Sequence, residues 1–324
     1  MTLSLNARAA VLADALIAEA PALRIGVSHG PGGETLIDCG HRHPGSTEAG
    51  LHLARISMAG LASVSLVPSG LAPLPWSVLV RTSQPWLACL GSQYAGWHLP
   101  GAGDAPLMVS GPARALARKE PLFDDLPHDE HATRAVLVLE GDAPPTDGTA
   151  RAAAEACRLP RSALTLLHAP TGCPAGMVQI AARVVECAVQ KARLLDFPLA
   201  DLTEAIATAP VCPPHPDTRA AMGRANDAII YAGRAHLFVT GAPSRARALA
   251  RRLPSRTAPD WGRSFAEVWE AAYGDFARID SRFFSPAEVH VTALDTGETF
   301  TSGPPDLARL IAFSDASPPE PPKP

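Results

Sequence analysis

The segment Gly176–Lys191 (GMVQIAARVVECAVQK) constrains the fold of this chain more than any other stretch of the sequence. Its polar residues Gln179, Arg183, Glu186 and Gln190 recur at intervals of four, three and four, which places them on one narrow stripe of an α-helix. The other residues are almost all apolar or small, and a helix that is apolar over most of its circumference is mostly buried. Two interpretations of the stripe are open: it borders a cleft or interface, or it is a solvated edge with an i,i+3 ion pair.

Composition restricts the class of protein. At 324 residues, with 47% hydrophobic and 19% charged residues, the chain is long enough for two globular domains or one large domain. A net charge of −4 without an evident basic face argues against nucleic acid as the main partner. No apolar run approaches the roughly 20 residues that cross a bilayer, so we expect no membrane partner.

The cysteines and the first residues bear on the compartment. The six cysteines are scattered and include no C-x-x-C pair, which argues against a disulfide framework or a zinc knuckle. The opening MTLSLNARAA lacks the basic and apolar regions of a signal peptide. We therefore expect a reducing, cytoplasmic environment.

The order of predicted elements indicates an α/β (α+β) fold. Strands and helices alternate from position 135 to position 191, and a first helix is expected to start with Asn6 as its cap. Hairpins are predicted near both chain ends, around residues 29–33 and 295–297. Their arms GGETL and TGETF are similar, which favours one sheet shared by the two ends.

We predict two domains of mixed sheets and helices with a substrate cleft between them. The first domain is expected to comprise residues 1–90 plus 270–316, and the second residues 91–269. The segment 317–324 contains five prolines in eight residues and is expected to be a disordered tail.

Two motifs suggest chemistry that their context does not support. Gly26–Gly30 matches the G-x-S-x-G pattern of serine hydrolases, but another strand follows instead of a helix, so a hairpin turn is expected. The histidines at 41 and 43, and the His128–His131 segment, lack the i,i+4 helical spacing of a zinc site, so surface loops are expected. A P-loop and a G-x-G-x-x-G pattern are both absent, which leaves nucleotide hydrolysis and dinucleotide redox chemistry without support.

Eight segments rich in glycine, serine and other small residues occur in one order along the chain. They are Asp38–Gly40, Pro44–Gly50, Gly60–Leu66, Ala88–Trp97, Ser110–Leu116, Ala169–Thr171 with Val178–Arg183 and Glu186, Met222–Tyr231, and Phe284–Val289. Together they resemble the methenyltetrahydromethanopterin cyclohydrolase family of one-carbon metabolism. The resemblance extends from the first helix to about Gly297; the segment Ser83–Pro85 and the Pro-rich tail depart from it.

The resemblance implies two α/β-type domains, an active site between them, a homotrimer, and neither a metal nor a redox cofactor. It implies reversible hydrolysis of N5,N10-methenyl-tetrahydromethanopterin, or its dephospho form, to the N5-formyl compound. In this family Glu186 corresponds to the general base that acts on water, and Arg183 to the residue that orients it.

Further substrate contacts are expected from the same segments, each with an open alternative. Gln179 contacts the pterin or water, or is a surface amide. The Ser110–Gly111–Arg114 loop holds the polar tail of the substrate, or is a plain tight turn. Arg224, Asn226 and Asp227 bind the amide edge of the pterin, or form an interface ion network. Ser92, Gln93 and Tyr94 form a stacking wall with Trp97, or belong to the core.

Two other functions are kept as alternatives to the enzyme. One is a non-catalytic tetrahydropterin-binding protein of the same fold, against which the presence of both Arg183 and Glu186 argues. The other is a structural oligomer in which the charged stripe packs at an interface.

Overall fold

A computed structural model describes residues 3–71, 74–102 and 106–315. The predicted tail 317–324 lies outside the described residues. The described strands form two six-stranded mixed sheets. The first sheet has the order β1-β2-β8-β7-β6-β5, formed by Gly26–His29, Thr35–Asp38, Leu164–Ala169, Ala135–Glu140, Leu107–Ser110 and Trp97–Leu99. The second has the order β12-β11-β10-β9-β4-β3, formed by Glu298–Ser302, Glu288–Ala293, Arg234–Val239, Leu202–Pro210, Leu74–Thr82 and Ala62–Leu71.

Helices surround both sheets, which confirms the predicted α/β class. They are α1 Leu5–Ala18, α2 Ala20–Leu23, α3 Thr47–Ser57, α4 Pro85–Ala88, α5 Ala113–Ala117, α6 Leu122–Asp125, α7 Asp147–Cys157, α8 Pro174–Ala181, α9 Val184–Leu194, α10 Thr218–Ala232, α11 Pro243–Arg252, α12 Phe265–Ala271 and α13 Leu307–Asp315. A π-helical turn, Cys89–Gln93, follows α4 directly.

The first sheet is buried on both faces. Its central strands β2, β8 and β7 are parallel, and their side chains are mostly apolar, as expected for strands covered on both sides. Helices α1 and α3 pack on one face and α7 on the other. The carboxyl end of β7 carries Glu140, an acidic residue at the edge of an otherwise apolar strand.

The second sheet packs one face against α9 and α11. Alanine and valine side chains of β4, β9, β10 and β11 alternate into this core with a period of two, so the opposite face of the sheet is more polar. Strand β9 and helix α11 were not predicted from the sequence. In the described part of the chain, no helix has both the length and the apolar character needed to cross a membrane.

Both predicted hairpins are confirmed, but the predicted sheet shared by the chain ends is wrong. Strand β1 pairs with β2, so the G-x-S-x-G motif lies in a hairpin, and β11 pairs with β12. However, β2 continues into the first sheet through β8, whereas β11 continues into the second through β10. The similar hairpin arms record only local turn chemistry, which does not determine the strand on the other side.

The predicted domain ranges stay a prediction. Residues 1–90 plus 270–316 contribute strands to both sheets, and so do residues 91–269. The sheets themselves are therefore each assembled from distant parts of the chain.

The predicted helix Gly176–Lys191 is in fact two helices. Helix α8 ends at Ala181 and α9 begins at Val184, with Arg183 as the residue preceding α9. The amide of Gln93 donates from Nε2 to the Ala182 carbonyl oxygen at 3.4 Å, and the Arg183 N–H bonds the Ile180 carbonyl in a tighter, i−3 turn. Nearly every residue of both helices is buried, as the apolar circumference predicts.

The first helix starts earlier than predicted, because Ser4 and not Asn6 is its cap. Asn6 is fully buried inside the helix, and its side chain bonds the Pro112 carbonyl, the Val136 N–H and the Glu130 carboxylate. Glu130 also accepts the backbone N–H groups of Leu5 and Asn6 and a bond from His128 at 2.8 Å. The expected surface loop at His128–His131 is thus partly wrong, since Glu130 is a buried anchor for a helix N-terminus.

Candidate active site

An open cavity of about 140 Å³ lies where α8, α9 and α10 meet the end of β7. One part of its wall is apolar, formed by Met108, Ile180, Met222, Ile229, Phe276 and Phe284. The other part is polar, formed by Tyr94, Glu140, Arg183, Glu186, Gln190, Asn226 and Ser281. Such a mixture of an apolar wall with a few convergent polar groups is typical of a small-molecule site.

Arg183 and Glu186 lie at the centre of the polar wall. The break between α8 and α9 places Arg183 just before α9 and Glu186 in its first turn. Arg183 Nη1 lies 3.4 Å from Glu186 Oε2 and donates to the Gln93 carbonyl oxygen at 3.2 Å. Both side chains are largely buried, at 12% and 8% exposure. The predicted ion pair therefore exists, and it faces a cavity.

Burial and charge act in opposite directions on Glu186. Burial raises the pKa of its carboxyl group above the usual value, and the Arg183 guanidinium opposes this rise without cancelling it. The position in the first turn of α9 also favours the ionised form, because helix N-termini stabilise negative charge. The result is a carboxyl group that is more basic than that of an ordinary glutamate.

Glu140 is a second carboxylate of the cavity, and the sequence analysis missed it. Its Oε2 lies 3.9 Å from Arg183 Nη2 and accepts a bond from Gln179 Nε2 at 3.0 Å. Its Oε1 accepts a bond from the Thr171 hydroxyl at 2.9 Å. The only signal in the sequence was an acidic residue ending a fully apolar strand. Gln179 itself is buried and supports Glu140, and it is not a surface amide.

The π-helical turn Cys89–Gln93 fixes the position of Arg183 through a backbone carbonyl group. The backbone oxygen of Gln93 accepts both Arg183 Nη1 and the Ser110 hydroxyl, the latter at 2.6 Å. The Ser92 hydroxyl donates to the Ser57 carbonyl, and the Ser92 carbonyl accepts the Gly111 N–H at 3.0 Å. Ser92, Gln93 and Ser110 are buried and do not line the cavity.

Arg114 is fully buried and contacts the same π-helical turn. Its guanidinium forms a two-bond pair with Glu120 and donates to the carbonyl oxygens of Leu90 and Ser92. It also stacks near the rings of Tyr94 and Phe123, at 5.3 and 5.2 Å from their centres. The side-chain donors of Ser110 and Arg114 thus bond groups within the protein, as the tight-turn alternative predicts.

The three polar residues of α10 that were expected to bind the pterin have different surroundings in the structure. Asn226 lines the cavity, with its Nδ2 bonded to the Met222 carbonyl. Arg224 donates to the Ser314 carbonyl, and Asp227 accepts the Phe265 N–H at the start of α12. Burial raises the pKa of Asp227 to about 8. Tyr94 also lines the cavity, whereas Trp97 belongs to the core of the first sheet.

The six cysteines are all free thiols, and Cys187 lines the cavity beside Glu186. Burial raises the pKa of the Cys187 thiol well above its usual value, and the neighbouring Glu186 carboxylate acts in the same direction. It is therefore a neutral, weakly nucleophilic wall residue. Among the described residues, no three histidine, cysteine or acidic side chains are grouped as a metal site requires.

Comparison with known proteins places this chain in a family. The family model described as Cyclohydrolase (MCH) matches residues 4–313. The chain is 45% identical to methenyltetrahydromethanopterin cyclohydrolase of Methylobacterium organophilum over 304 residues, 93% of this chain and 94% of that protein. It is 50% identical to the enzyme so named from Methylosinus trichosporium over 258 residues, 79% of this chain and 99% of the relative. For the protein of that name from Methanothermobacter marburgensis the identity is 36% over 307 residues, covering 93% and 95% of the two chains.

Proposed function

The chain belongs to the methenyltetrahydromethanopterin cyclohydrolase family, and on that premise we propose that it hydrolyses N5,N10-methenyl-tetrahydromethanopterin reversibly to the N5-formyl compound. The enzyme class follows from the family: a hydrolase that opens the C–N bond of a cyclic amidine. The observation that carries the assignment of the site is the buried Arg183–Glu186 pair, which lies 3.4 Å apart on the wall of a cavity.

The substrate determines which chemistry the site has to supply. The methenyl bridge is an amidinium-like cation whose carbon is already electrophilic, so the enzyme needs to place a water molecule and remove its proton. We propose Glu186 as the general base: its carboxylate takes a proton from water as the C–O bond forms at the bridge carbon. The C–N10 bond then breaks, N10 takes up the proton from Glu186, and the hydroxyl proton leaves as the formyl carbonyl forms. One proton is released overall.

The charges of the cavity complement this reaction. Two carboxylates, Glu140 and Glu186, share one guanidinium, that of Arg183. Counted as formal charges, two acids and one guanidinium give the wall one net negative charge toward the cationic substrate. Arg183 would orient Glu186, and Glu140 with Gln179 would hold Arg183 from the other side.

Several properties of the family remain proposals for this chain. We propose that the reaction uses no metal or redox cofactor, because the substrate carries its own activating charge. We also propose a homotrimer located in the cytoplasm. The dephospho and phospho forms of the pterin are both compatible with the proposed chemistry.

The direct test is to follow the absorbance of the methenyl cation, which hydrolysis removes by breaking its conjugation. Purified protein is given methenyl-tetrahydromethanopterin and, separately, methenyl-tetrahydrofolate, each against its spontaneous hydrolysis. Accelerated decay of the first compound alone supports the proposal. Binding without acceleration would instead support the alternative, a non-catalytic tetrahydropterin-binding protein.

A further inference from the structure

The side chain of Gln190 contains a buried oxygen that lacks a hydrogen-bond partner in the described part of the chain. It lies on α9 and lines the cavity, and only 8% of its surface is exposed. Within the described residues, its Oε1 atom is buried and accepts no hydrogen bond. A buried amide oxygen without a hydrogen bond destabilises a folded protein, so such a group calls for an explanation.

A comparison with the other two buried glutamines, Gln179 and Gln93, distinguishes Gln190 from each of them. Gln179, on the preceding helix, donates to Glu140 at 3.0 Å. Two other buried side-chain atoms in the described part of the chain lack partners, Oε1 of Gln93 and Nδ1 of His168. Neither residue lines the cavity that contains Arg183 and Glu186. Gln190 therefore combines an unpaired acceptor with a place in the proposed active site.

The position of Gln190 relative to Glu186 matches the shape of the substrate head group. The two residues are four apart on one helix, so their side chains lie side by side, about 5–6 Å apart at Cβ. In a tetrahydropterin, the bridge carbon and the N–H-bearing edge of the pyrimidinone ring are separated by about the width of one fused ring. The same cavity is lined by Ile229, Phe276 and Phe284, which form an apolar surface suited to a flat ring.

We propose that Gln190 is a specificity-determining residue: its side-chain amide turns when the substrate binds, so that Oε1, which is enclosed in the free protein, faces the cavity and accepts a hydrogen bond from an N–H group of the pyrimidinone ring. This inference rests on the proposed function. With Glu186 at the bridge carbon, the next turn of α9 then binds the ring, and the unpaired acceptor of the free protein is satisfied in the complex.

The test compares stability and kinetics of Gln190→Leu, Gln190→Glu and the wild-type protein, with methenyl-tetrahydromethanopterin as the substrate. Gln190→Leu removes a buried unpaired amide oxygen, so its melting temperature is expected to equal or exceed that of the wild type. The same change is expected to raise KM about 10- to 100-fold, because the ring N–H loses its acceptor, while kcat changes by less than about threefold. Gln190→Glu keeps an acceptor and is expected to recover most of the affinity. Gln84→Leu, the same substitution at an exposed position, is the matched control.

The outcomes separate this inference from the function on which it rests. Absence of wild-type turnover would overturn the proposed function and the inference with it. If the wild type is active, a Gln190→Leu variant with the KM of the wild type would overturn the role of Gln190 alone. A Gln190→Leu variant that loses stability and retains its KM would show a purely structural side chain, which also contradicts the proposal.

Discussion

At the scale of single residues, the ionisation of Glu186 determines how the proposed reaction depends on pH. The general base acts only when ionised, and burial raises its pKa in the folded protein. Activity should therefore be full above that raised pKa and fall as the pH decreases through it. A bound cationic substrate stabilises the carboxylate, so the acid limb of kcat is expected at lower pH than that of kcat/KM.

Substitution of Arg183 is expected to move this acid limb in a defined direction. The guanidinium lowers the pKa of Glu186, so Arg183→Gln should shift the acid limb of kcat/KM to higher pH, besides lowering the rate. Arg183→Lys keeps the positive charge, so this variant should shift the acid limb less. The measurement is kcat/KM against pH for the three proteins. An acid limb at the same pH in all three would show that Arg183 does not control the ionisation of the base.

The sequence was informative about some of these residues and silent about others. The polar stripe identified Arg183 and Glu186 as neighbours, because helical spacing survives the break between α8 and α9. It did not identify Glu140, since a single acidic residue after an apolar strand has no periodic signal. Nor did it show that Ser92, Ser110 and Arg114 would be buried behind the cavity, because burial of polar residues depends on partners distant in sequence.

At the scale of elements, the site depends on the π-helical turn Cys89–Gln93. This turn supplies the carbonyl that holds Arg183 and the amide that contacts Ala182 at the helix break. The break itself was not predictable from periodicity, because a two-residue interruption with helical-like dihedrals leaves the apolar pattern unchanged. In contrast, α3 and α7 each start at a single capping residue, Ser46 and Thr146, and such a cap is a local feature of the sequence.

The buried pair Arg114–Glu120 gives a test of this element. Arg114→Met leaves the Glu120 carboxylate buried without its partner and should lower the free energy of unfolding by about 3–5 kcal/mol. The double variant Arg114→Met with Glu120→Leu removes both charges and should recover most of that loss. Denaturant unfolding of the single and double variants measures both effects. If the single variant were as stable as the wild type, the pair would not support the turn.

At the scale of the whole molecule, local patterns gave the class of fold but not the assembly of the sheets. Alternating strands and helices predicted an α/β protein, and both hairpins formed where expected. The sheet joining the two chain ends did not form, because the partners of β2 and β11 come from distant parts of the chain. Strand β9, which joins β4 to β10, was missed because most of its buried side chains are alanines, which are depleted in strands, whereas its isoleucine, Ile206, is exposed.

The proposed homotrimer is a prediction about the whole assembly. A chain of 33.8 kDa should give a particle of about three times that mass in solution. Light scattering on the purified protein at several concentrations measures this mass directly. A mass equal to that of one chain across the whole range would contradict the proposal.

The central claim is that Glu186 is the base of a cyclohydrolase, and its most direct test is the turnover of Glu186→Gln. Glutamine keeps the shape of the side chain but does not take a proton from water, so kcat should fall about 10²–10⁴-fold. The variant should retain the melting temperature of the wild type within a few degrees, because Arg183 keeps the Glu140 carboxylate and the Gln93 carbonyl as partners and the replacement leaves no cavity. Decay of the methenyl absorbance at a rate close to that of the wild type would contradict the claim.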